Sequence, residues 1–157
     1  MGTGDLMLHY QTSSACCFTG HRQIPEDQSL RICTILKQTI REITAIDGIT
    51  TFYVGGALGF DTLAAMMVLE ARKSFPHIRL VIVLPYANQA DRWGDADEVI
   101  CLSERYYNGC MFVRNRYLVD HSSICVSYQT KQNGGTAYTV KYAILKELRV
   151  INLAEQG

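Results

Sequence analysis

Two glycine-rich segments contain the residues of this sequence that are best suited to bind an anion. The first contains Gly55, Gly56, Gly59 and Asp61, and the second is formed by Gly134, Gly135 and Thr136. Both precede a predicted helix, whose free N–H groups can bind phosphate, and glycine lets the backbone approach a ligand closely. One such segment is also typical of a tight turn in which Asp61 only stabilises the helix start. The second segment favours phosphate or ribose binding, although Thr136 can equally act as an N-cap.

Gly20, His21 and Arg22 directly follow the first predicted strand. An arginine at this position projects over the end of the sheet, where its guanidinium group can form paired hydrogen bonds with phosphate or carboxylate. The alternative for Arg22 is an ordinary surface arginine. His21 either contacts the same ligand or only caps and packs the turn.

Trp93, Arg114 and Asn115 are further candidates for ligand binding. Trp93 is the one tryptophan of the chain and lies near Tyr86, so it either stacks on a base or covers the hydrophobic core. Arg114 and Arg116 face apart on a predicted helix, because residues two positions apart are separated by about 200° around its axis. At most one of them can join Asn115 at a site. The alternative is a solvated helix face with a buried asparagine–backbone contact.

Short apolar runs alternate with segments of helical periodicity along the chain. We predict strands over residues 15–18, 50–54, 78–84, 98–102, 123–128 and 149–153, and helices over 26–47, 60–74, 89–93 and 111–120. A last predicted helix carries Val140, Ile144 and Leu148, and Gly48 is predicted to end the first one. Repeated strand–helix–strand units with continuous apolar strands predict an α/β, Rossmann-like three-layer sandwich with a mainly parallel, doubly wound sheet.

The unusual residues are concentrated at one edge of this predicted sheet. Loops after the first, second, third and fifth strands carry every glycine cluster and most of the exposed polar residues singled out above. Tight turns alone would place glycine at both ends of the strands. Because ligands of such sheets bind beyond the carboxyl ends of the strands, we predict a glycine-lined binding crevice at this edge.

Composition and charge narrow the classes of protein and partner. Apolar residues make up 48% of the 157 residues and charged residues 19%, which is typical of a globular protein. The pattern predicts one domain over residues 15–157 that follows an N-terminal extension over residues 1–14. The formal net charge is zero, which weakens a nucleic-acid-binding interpretation without excluding it.

The sequence carries no signal for export, for a membrane or for a metal. Residues 1–14 lack the basic start and apolar core of a signal peptide, and no apolar run approaches the roughly 20 residues of a membrane span. We therefore predict a cytoplasmic protein that does not bind membranes. The six cysteines have no zinc-binding spacing, and Cys16, Cys17, Cys101 and Cys125 fall in predicted strands. We expect reduced core cysteines, with neither metal nor cofactor.

Several ordered motifs together resemble a known family. The motifs are Phe18-Thr19-Gly20-His21-Arg22, the Gly-Gly-Ala-Leu-Gly-Phe-Asp-Thr-Leu-Ala-Ala run from Gly55, residues 89–93, and Arg114-Asn115 followed by Leu118, Val119 and Asp120. They are similar to YpsA-type proteins of the SLOG superfamily over residues 15–153. The resemblance implies a Rossmann-like fold, self-association, and binding of nucleotides, nucleotide-derived signals or nucleic acid. It implies the ligand set Gly20, His21, Arg22, Gly55, Gly56, Gly59, Asp61, Arg114, Asn115, Gly134, Gly135 and Thr136.

Two relatives within this superfamily imply different activities. LOG-type hydrolases carry Gly-Gly-x-Gly-Thr-x-x-Glu, whereas this sequence lacks one glycine and has Thr139 in place of the acidic residue. Because N-glycosidic hydrolysis normally needs a carboxylate, only Asp61 or Asp120 remains as a candidate catalytic residue, and hydrolysis is disfavoured. The motifs shared with DprA imply single-stranded DNA binding as an alternative. We predict a protein that senses or sequesters a nucleotide rather than an enzyme.

Overall fold

The protein folds into a six-stranded sheet in which every strand is parallel to its neighbours. The computed structural model describes residues 14–155, so the predicted extension over residues 1–14, apart from Ser14, lies outside the described residues. The strands are β1 (Ala15–Gly20), β2 (Thr51–Val54), β3 (Arg79–Leu84), β4 (Glu98–Cys101), β5 (Ile124–Tyr128) and β6 (Arg149–Asn152). Their order in the sheet is β4-β3-β2-β1-β5-β6.

Within residues 14–155, four α-helices cover the sheet. They are α1 (Ser29–Ala45), α2 (Phe60–Ala71), α3 (Cys110–Asp120) and α4 (Gly135–Leu145). Short 3-10 turns occupy Glu26–Gln28, Ala90–Trp93 and Leu153–Glu155, so the predicted helix over 89–93 is a 3-10 turn. The first helix ends as predicted, because Gly48 has a φ of +69° and the N–H of Ile49 donates to the carbonyl of Ile43 at 3.1 Å.

Alternate side chains of the central strands enter two separate cores. Phe18 and Phe52 pack in the core beside α1 and α2, where their ring centres are 6.0 Å apart. Cys17, Val81 and Cys125 pack in the opposite core with residues of α3 and α4. Successive strand residues point to opposite faces, so a run of consecutive apolar residues builds both cores. The predicted α/β, three-layer, doubly wound fold is confirmed.

The order of the strands determines where a crevice can form. The connections that carry α1 and α2 lead from β1 to β2 and then to β3, toward one edge of the sheet. The connections that carry α3 and α4 lead to β5 and then to β6, toward the opposite edge. The direction therefore reverses between β1 and β5, which are paired directly in register from Cys16 with Ile124 to Gly20 with Tyr128. Loops diverge at such a reversal and leave space beyond the carboxyl ends of the strands.

The expectation of core cysteines is wrong for Cys101. Cys16, Cys17 and Cys125 are buried in the central strands, whereas Cys101 is exposed. The physical reason is its position at the end of β4, which is an edge strand with a neighbour on one side only. All six cysteines have free thiols. Within residues 14–155, no helix has both the length and the apolar character needed to cross a membrane.

Candidate functional site

An open cavity of about 830 Å³, here called the large cavity, lies beyond the carboxyl ends of β1 and β5. This is the point at which the strand order reverses, where ligands of this sheet class bind. Its wall is formed by the loops after both strands and by the first turns of α3 and α4. The predicted site residues that line it are Gly20, His21, Arg22, Asp61, Arg114, Asn115, Gly134, Gly135 and Thr136.

A second cavity of about 230 Å³, here called the small cavity, lies beside the first, over the ends of β2 and β3. Gly55, Gly56 and Trp93 line it. Arg22 and Arg114 line both cavities, so the two form adjoining parts of one crevice. Among the predicted site residues, Gly59 lines neither.

Gly59 and Gly20 make room for other parts of the protein. Gly59 has a φ of +74°, and a Cβ there would lie 2.6 Å from the carbonyl oxygen of His21 and closer still to that of Arg22. A Cβ on Gly20 would lie 2.6 Å from the Cβ of Phe60 and closer to its ring. These glycines allow the start of α2 to pack against the loop after β1. Their identity therefore has an explanation that needs no ligand.

Gly134 and Gly135, in contrast, face open space. A Cβ at either position would meet no atom within 4 Å, and both residues line the large cavity. Gly134 is the N-cap of α4 with a φ of 95°, so the suggestion that Thr136 is the N-cap is wrong. The first N–H groups of an α-helix have no partner within the helix, and here they begin at the cavity wall. This helix start is the part of the site best suited to hold an anion.

A buried arginine and a buried carboxylate both lie against the same side of Gly55. Both Arg114 and Asp61 are 6% exposed. Arg114 Nη1 donates to the Gly55 carbonyl, and Asp61 Oδ2 accepts from the Ala57 N–H at 3.1 Å. A Cβ on Gly55 would lie 2.9 Å from Arg114 Nη1 and 3.0 Å from Asp61 Oδ2. Glycine is therefore the residue that fits against these two groups.

The environment of this pair shifts both pKa values. Burial raises the pKa of Asp61, while Arg114, the Ala57 N–H and Arg22 act in the opposite direction. Burial lowers the pKa of Arg114, and the Asp61 carboxylate opposes that shift. The two groups thus compensate each other's desolvation. Arg114 also donates from Nε to Asn115 Oδ1 at 2.8 Å, which holds the asparagine at the cavity wall through a side-chain contact.

The wall of the large cavity has an excess of positive groups. Arg22, Arg114 and Lys131 line it, and Asp61 is the one carboxylate among its described lining residues. Arg22 is exposed and forms no hydrogen bond or ion pair within residues 14–155. Arg116 instead faces away and donates to the Tyr138 hydroxyl at 2.9 Å, in agreement with the predicted helical spacing. A protein with no formal net charge thus has a locally cationic crevice.

His21 connects the loops after β1 and β5. The backbone N–H of Thr130 donates to His21 Nε2 at 3.0 Å, so this nitrogen is unprotonated and the neutral ring carries its proton on Nδ1. The ring also meets the edge of Tyr128, with centres 6.0 Å apart. Partial burial, followed by the charge of Lys131, lowers the pKa of His21 below 6.5. A neutral His21 therefore holds one wall of the large cavity together.

Acidification is expected to weaken this link. In the unfolded chain the pKa of His21 is about 6.5. As the pH falls, the unfolded state therefore binds a proton on His21 before the folded state does. The contribution of neutral His21 to the free energy of unfolding is thus complete above a pH of about 6.5. It is lost as the pH falls toward the lowered folded pKa. Urea unfolding between pH values of about 7.5 and 5 should show a weaker pH dependence for His21→Leu than for wild type.

The control for the pH experiment is His77→Leu, since His77 is exposed and lies outside both cavities. This variant should keep the wild-type pH dependence. Equal pH dependence of wild type and His21→Leu would contradict the role of the Thr130 hydrogen bond.

Thr130 and Lys131 are among the residues of the large cavity that sequence reasoning missed. Both belong to the polar loop between β5 and Gly134. The same rule that selected the other loops, namely position after a strand that ends at the carboxyl edge, would have found them. Asp120, considered above as a carboxylate for hydrolysis, lies outside both cavities. It accepts a hydrogen bond from the Tyr142 hydroxyl at 2.7 Å.

Comparison with known proteins assigns the family. The model of the YpsA family, described as the YspA SLOG family, matches residues 16–150. The chain belongs to the YpsA family of SLOG proteins. UPF0398 protein BH1768 of Halalkalibacterium halodurans is 29% identical over 129 residues, which cover 71% of this chain and 68% of that protein. The SPbeta prophage-derived protein YoqJ of Bacillus subtilis is 28% identical over 138 residues, which cover 73% of this chain and 81% of YoqJ.

Two solved structures of DNA processing protein A have a similar fold to this YpsA-family chain. The Helicobacter pylori protein, described with its single-stranded DNA binding mode, superposes with a TM-score of 0.62 at 15% identity. The Streptococcus pneumoniae protein gives 0.65 at 14% identity. The match covers 88% and 87% of this chain but only 64% and 48% of the two DprA chains. At these identities the likeness establishes the fold alone.

Proposed function

We propose that this YpsA-family protein binds a nucleotide or nucleotide-derived phosphate ligand in the large cavity. The observation that carries the proposal is that the open start of α4 at Gly134 and Gly135 lines the same cavity as the unpaired Arg22. The helix N–H groups would hold the phosphate oxygens, while Arg22 and Lys131 neutralise their charge. The volume of about 830 Å³ is typical of small-molecule sites.

Asp61 would contact the sugar of this ligand. Its Oδ2 is occupied by the Ala57 N–H, whereas its Oδ1 forms no hydrogen bond to the described residues. The residue lines the large cavity, so Oδ1 can accept a hydrogen bond from a ribose hydroxyl. Such a bond would give Oδ1 the partner that residues 14–155 do not supply.

Binding is better supported than hydrolysis. Thr139, which stands where LOG-type hydrolases have an acidic residue, is fully buried and donates to the Gly135 carbonyl at 2.9 Å. It therefore stabilises the first turn of α4. Asp61 is the remaining carboxylate at the large cavity, and burial raises its pKa while Arg114 opposes that rise. Thr139 is therefore the residue that disfavours hydrolysis.

Replacement of Arg22 by alanine is expected to weaken ligand binding about tenfold or more, because a hydrogen bond to a charged group contributes about 1.5–3 kcal/mol. Thermal unfolding measures this with a panel of mononucleotides, NAD, ADP-ribose and short single-stranded DNA. A ligand at a hundred times its dissociation constant adds about 2.7 kcal/mol to the free energy of unfolding.

Arg41→Ala is the matched control, since Arg41 is an exposed arginine on α1 that lines neither cavity. It should bind the panel like wild type. The proposal fails if no panel member stabilises the protein, or if Arg22→Ala and Arg41→Ala bind equally well.

Single-stranded DNA binding is the second candidate function. The DprA-like fold and the cationic wall of the large cavity favour it. In this case the oligonucleotide, and not the mononucleotides, would stabilise the protein, and its affinity would fall steeply with salt as bound counterions are released. A salt-independent affinity would exclude it.

A further inference from the structure

The small cavity differs from the large one in chemistry. Leu84, Pro85, Tyr86 and Trp93 supply an apolar and aromatic wall, and none of its described lining residues carries a carboxylate. The amide side chains of Asn88 and Gln89 belong to the same wall and can both donate and accept hydrogen bonds. Three arginines also line the small cavity, namely Arg22, Arg92 and Arg114. Aromatic side chains beside amide and guanidinium groups suit a flat heterocyclic ring with polar edges.

The indole of Trp93 is held in position by its neighbours. The Arg92 guanidinium lies 4.9 Å from the centre of the ring and donates to Thr62 Oγ1 at 3.2 Å. Gly56 lies beside the edge of the same ring: it has a φ of +76°, and a Cβ there would lie 3.7 Å from Trp93 Nε1 and much closer to Leu84. Glycine at this position therefore lets the end of β2 pack against Leu84 next to the indole.

The small cavity adjoins the anion site directly. Arg22, Ala57, Met111 and Arg114 line both cavities. A ligand with its phosphate beside Arg22 can thus extend a ring into the small cavity without leaving the crevice. Gln89, at the rim, has a φ of 53° in the left-handed region, which few residues other than glycine adopt outside sites that need a particular loop shape.

We infer that the small cavity is the base subsite, in which a purine or pyrimidine stacks on Trp93 while its phosphate lies in the large cavity. The inference rests on the proposed function and deepens it, since it distinguishes a nucleotide ligand from a sugar phosphate or inorganic phosphate. Aromatic stacking on a base contributes enough to change affinity about tenfold. Asn88 and Gln89 are positioned to discriminate between bases at the ring edge.

Trp93 is the one tryptophan in the chain, so its fluorescence reports on the small cavity alone. The experiment titrates the full chain with AMP, GMP, CMP, UMP and ribose 5-phosphate, following thermal stability and tryptophan emission in parallel. We expect at least one nucleotide to bind about tenfold more tightly than ribose 5-phosphate and to quench Trp93. Ribose 5-phosphate should stabilise the protein without quenching.

Trp93→Leu tests the stacking directly. It should reduce the affinity for that nucleotide to the level of ribose 5-phosphate and leave ribose 5-phosphate binding unchanged. Tyr107→Ala, at an exposed aromatic residue outside both cavities, should change neither affinity. Equal binding of nucleotides and ribose 5-phosphate with unchanged Trp93 emission would overturn the base subsite and leave the proposed function standing. Binding of no phosphate compound would overturn both.

Discussion

Replacing Arg114 with methionine is expected to lower the free energy of unfolding by about 3–5 kcal/mol, since it removes the donor to a buried carbonyl and the positive charge nearest a buried carboxylate. Methionine retains much of the volume of the side chain. It leaves the Gly55 carbonyl without its donor and the buried Asp61 carboxylate without the neighbouring positive charge. Urea unfolding followed by circular dichroism measures the change.

Arg116→Met is the matched control, because Arg116 lies two positions along the same helix and makes a single surface hydrogen bond to Tyr138. It should cost less than about 1 kcal/mol. Adding Asp61→Asn to Arg114→Met should recover part of the loss, since the amide removes the uncompensated charge. Equal stability of the Arg114 and Arg116 variants would contradict the role assigned to this pair.

Replacing Gly59 with alanine is expected to lower the free energy of unfolding by at least about 2 kcal/mol, through backbone strain and crowding together. The φ of +74° disfavours any side chain, and the added methyl group would press on the carbonyl groups of His21 and Arg22. These carbonyls belong to the backbone and cannot turn aside as a flexible side chain can. The same loop carries the proposed phosphate ligand Arg22, so binding of the panel nucleotides should weaken as well.

Gly48→Ala is the control that has a positive φ without crowding. Gly48 has a similar φ of +69°, but a Cβ there would meet no atom within 4 Å. This variant should cost only the conformational term of about 1–2 kcal/mol and leave ligand binding unchanged. If Gly48→Ala and Gly59→Ala proved equally stable, the contact between α2 and the loop after β1 would carry no energetic weight.

The two largest losses of stability are expected at Arg114 and Gly59, which pack against the loops of the site. Arg114 and Gly59 pack against the loops after β1 and β2, whereas the exposed Arg22 and the open Gly134 line the large cavity. Substitutions in the first group should change stability, and substitutions in the second should change affinity at nearly unchanged stability. This difference allows the fold and the proposed binding function to be tested separately.

The order of strands and helices along the chain, and the edge of the sheet at which the unusual residues gather, could be predicted from the sequence alone. Both are local properties, since apolar periodicity identifies each element and a strand followed by glycine marks its own carboxyl end. The predicted segments 78–84 and 123–128 agree with β3 and β5 within one residue. The 3-10 turn at Ala90–Trp93 was predicted as a helix because short runs carry too little periodicity to separate the two.

The part that each of these residues plays there depends on the tertiary structure. Gly59 and Gly134 look alike in the sequence, yet one packs on carbonyl groups and the other faces open space. Arg114 contacts Gly55, 59 positions away, and His21 contacts Thr130, 109 positions away. Pairing, burial and the resulting pKa shifts arise from contacts between distant segments, which periodicity and spacing along the chain do not encode.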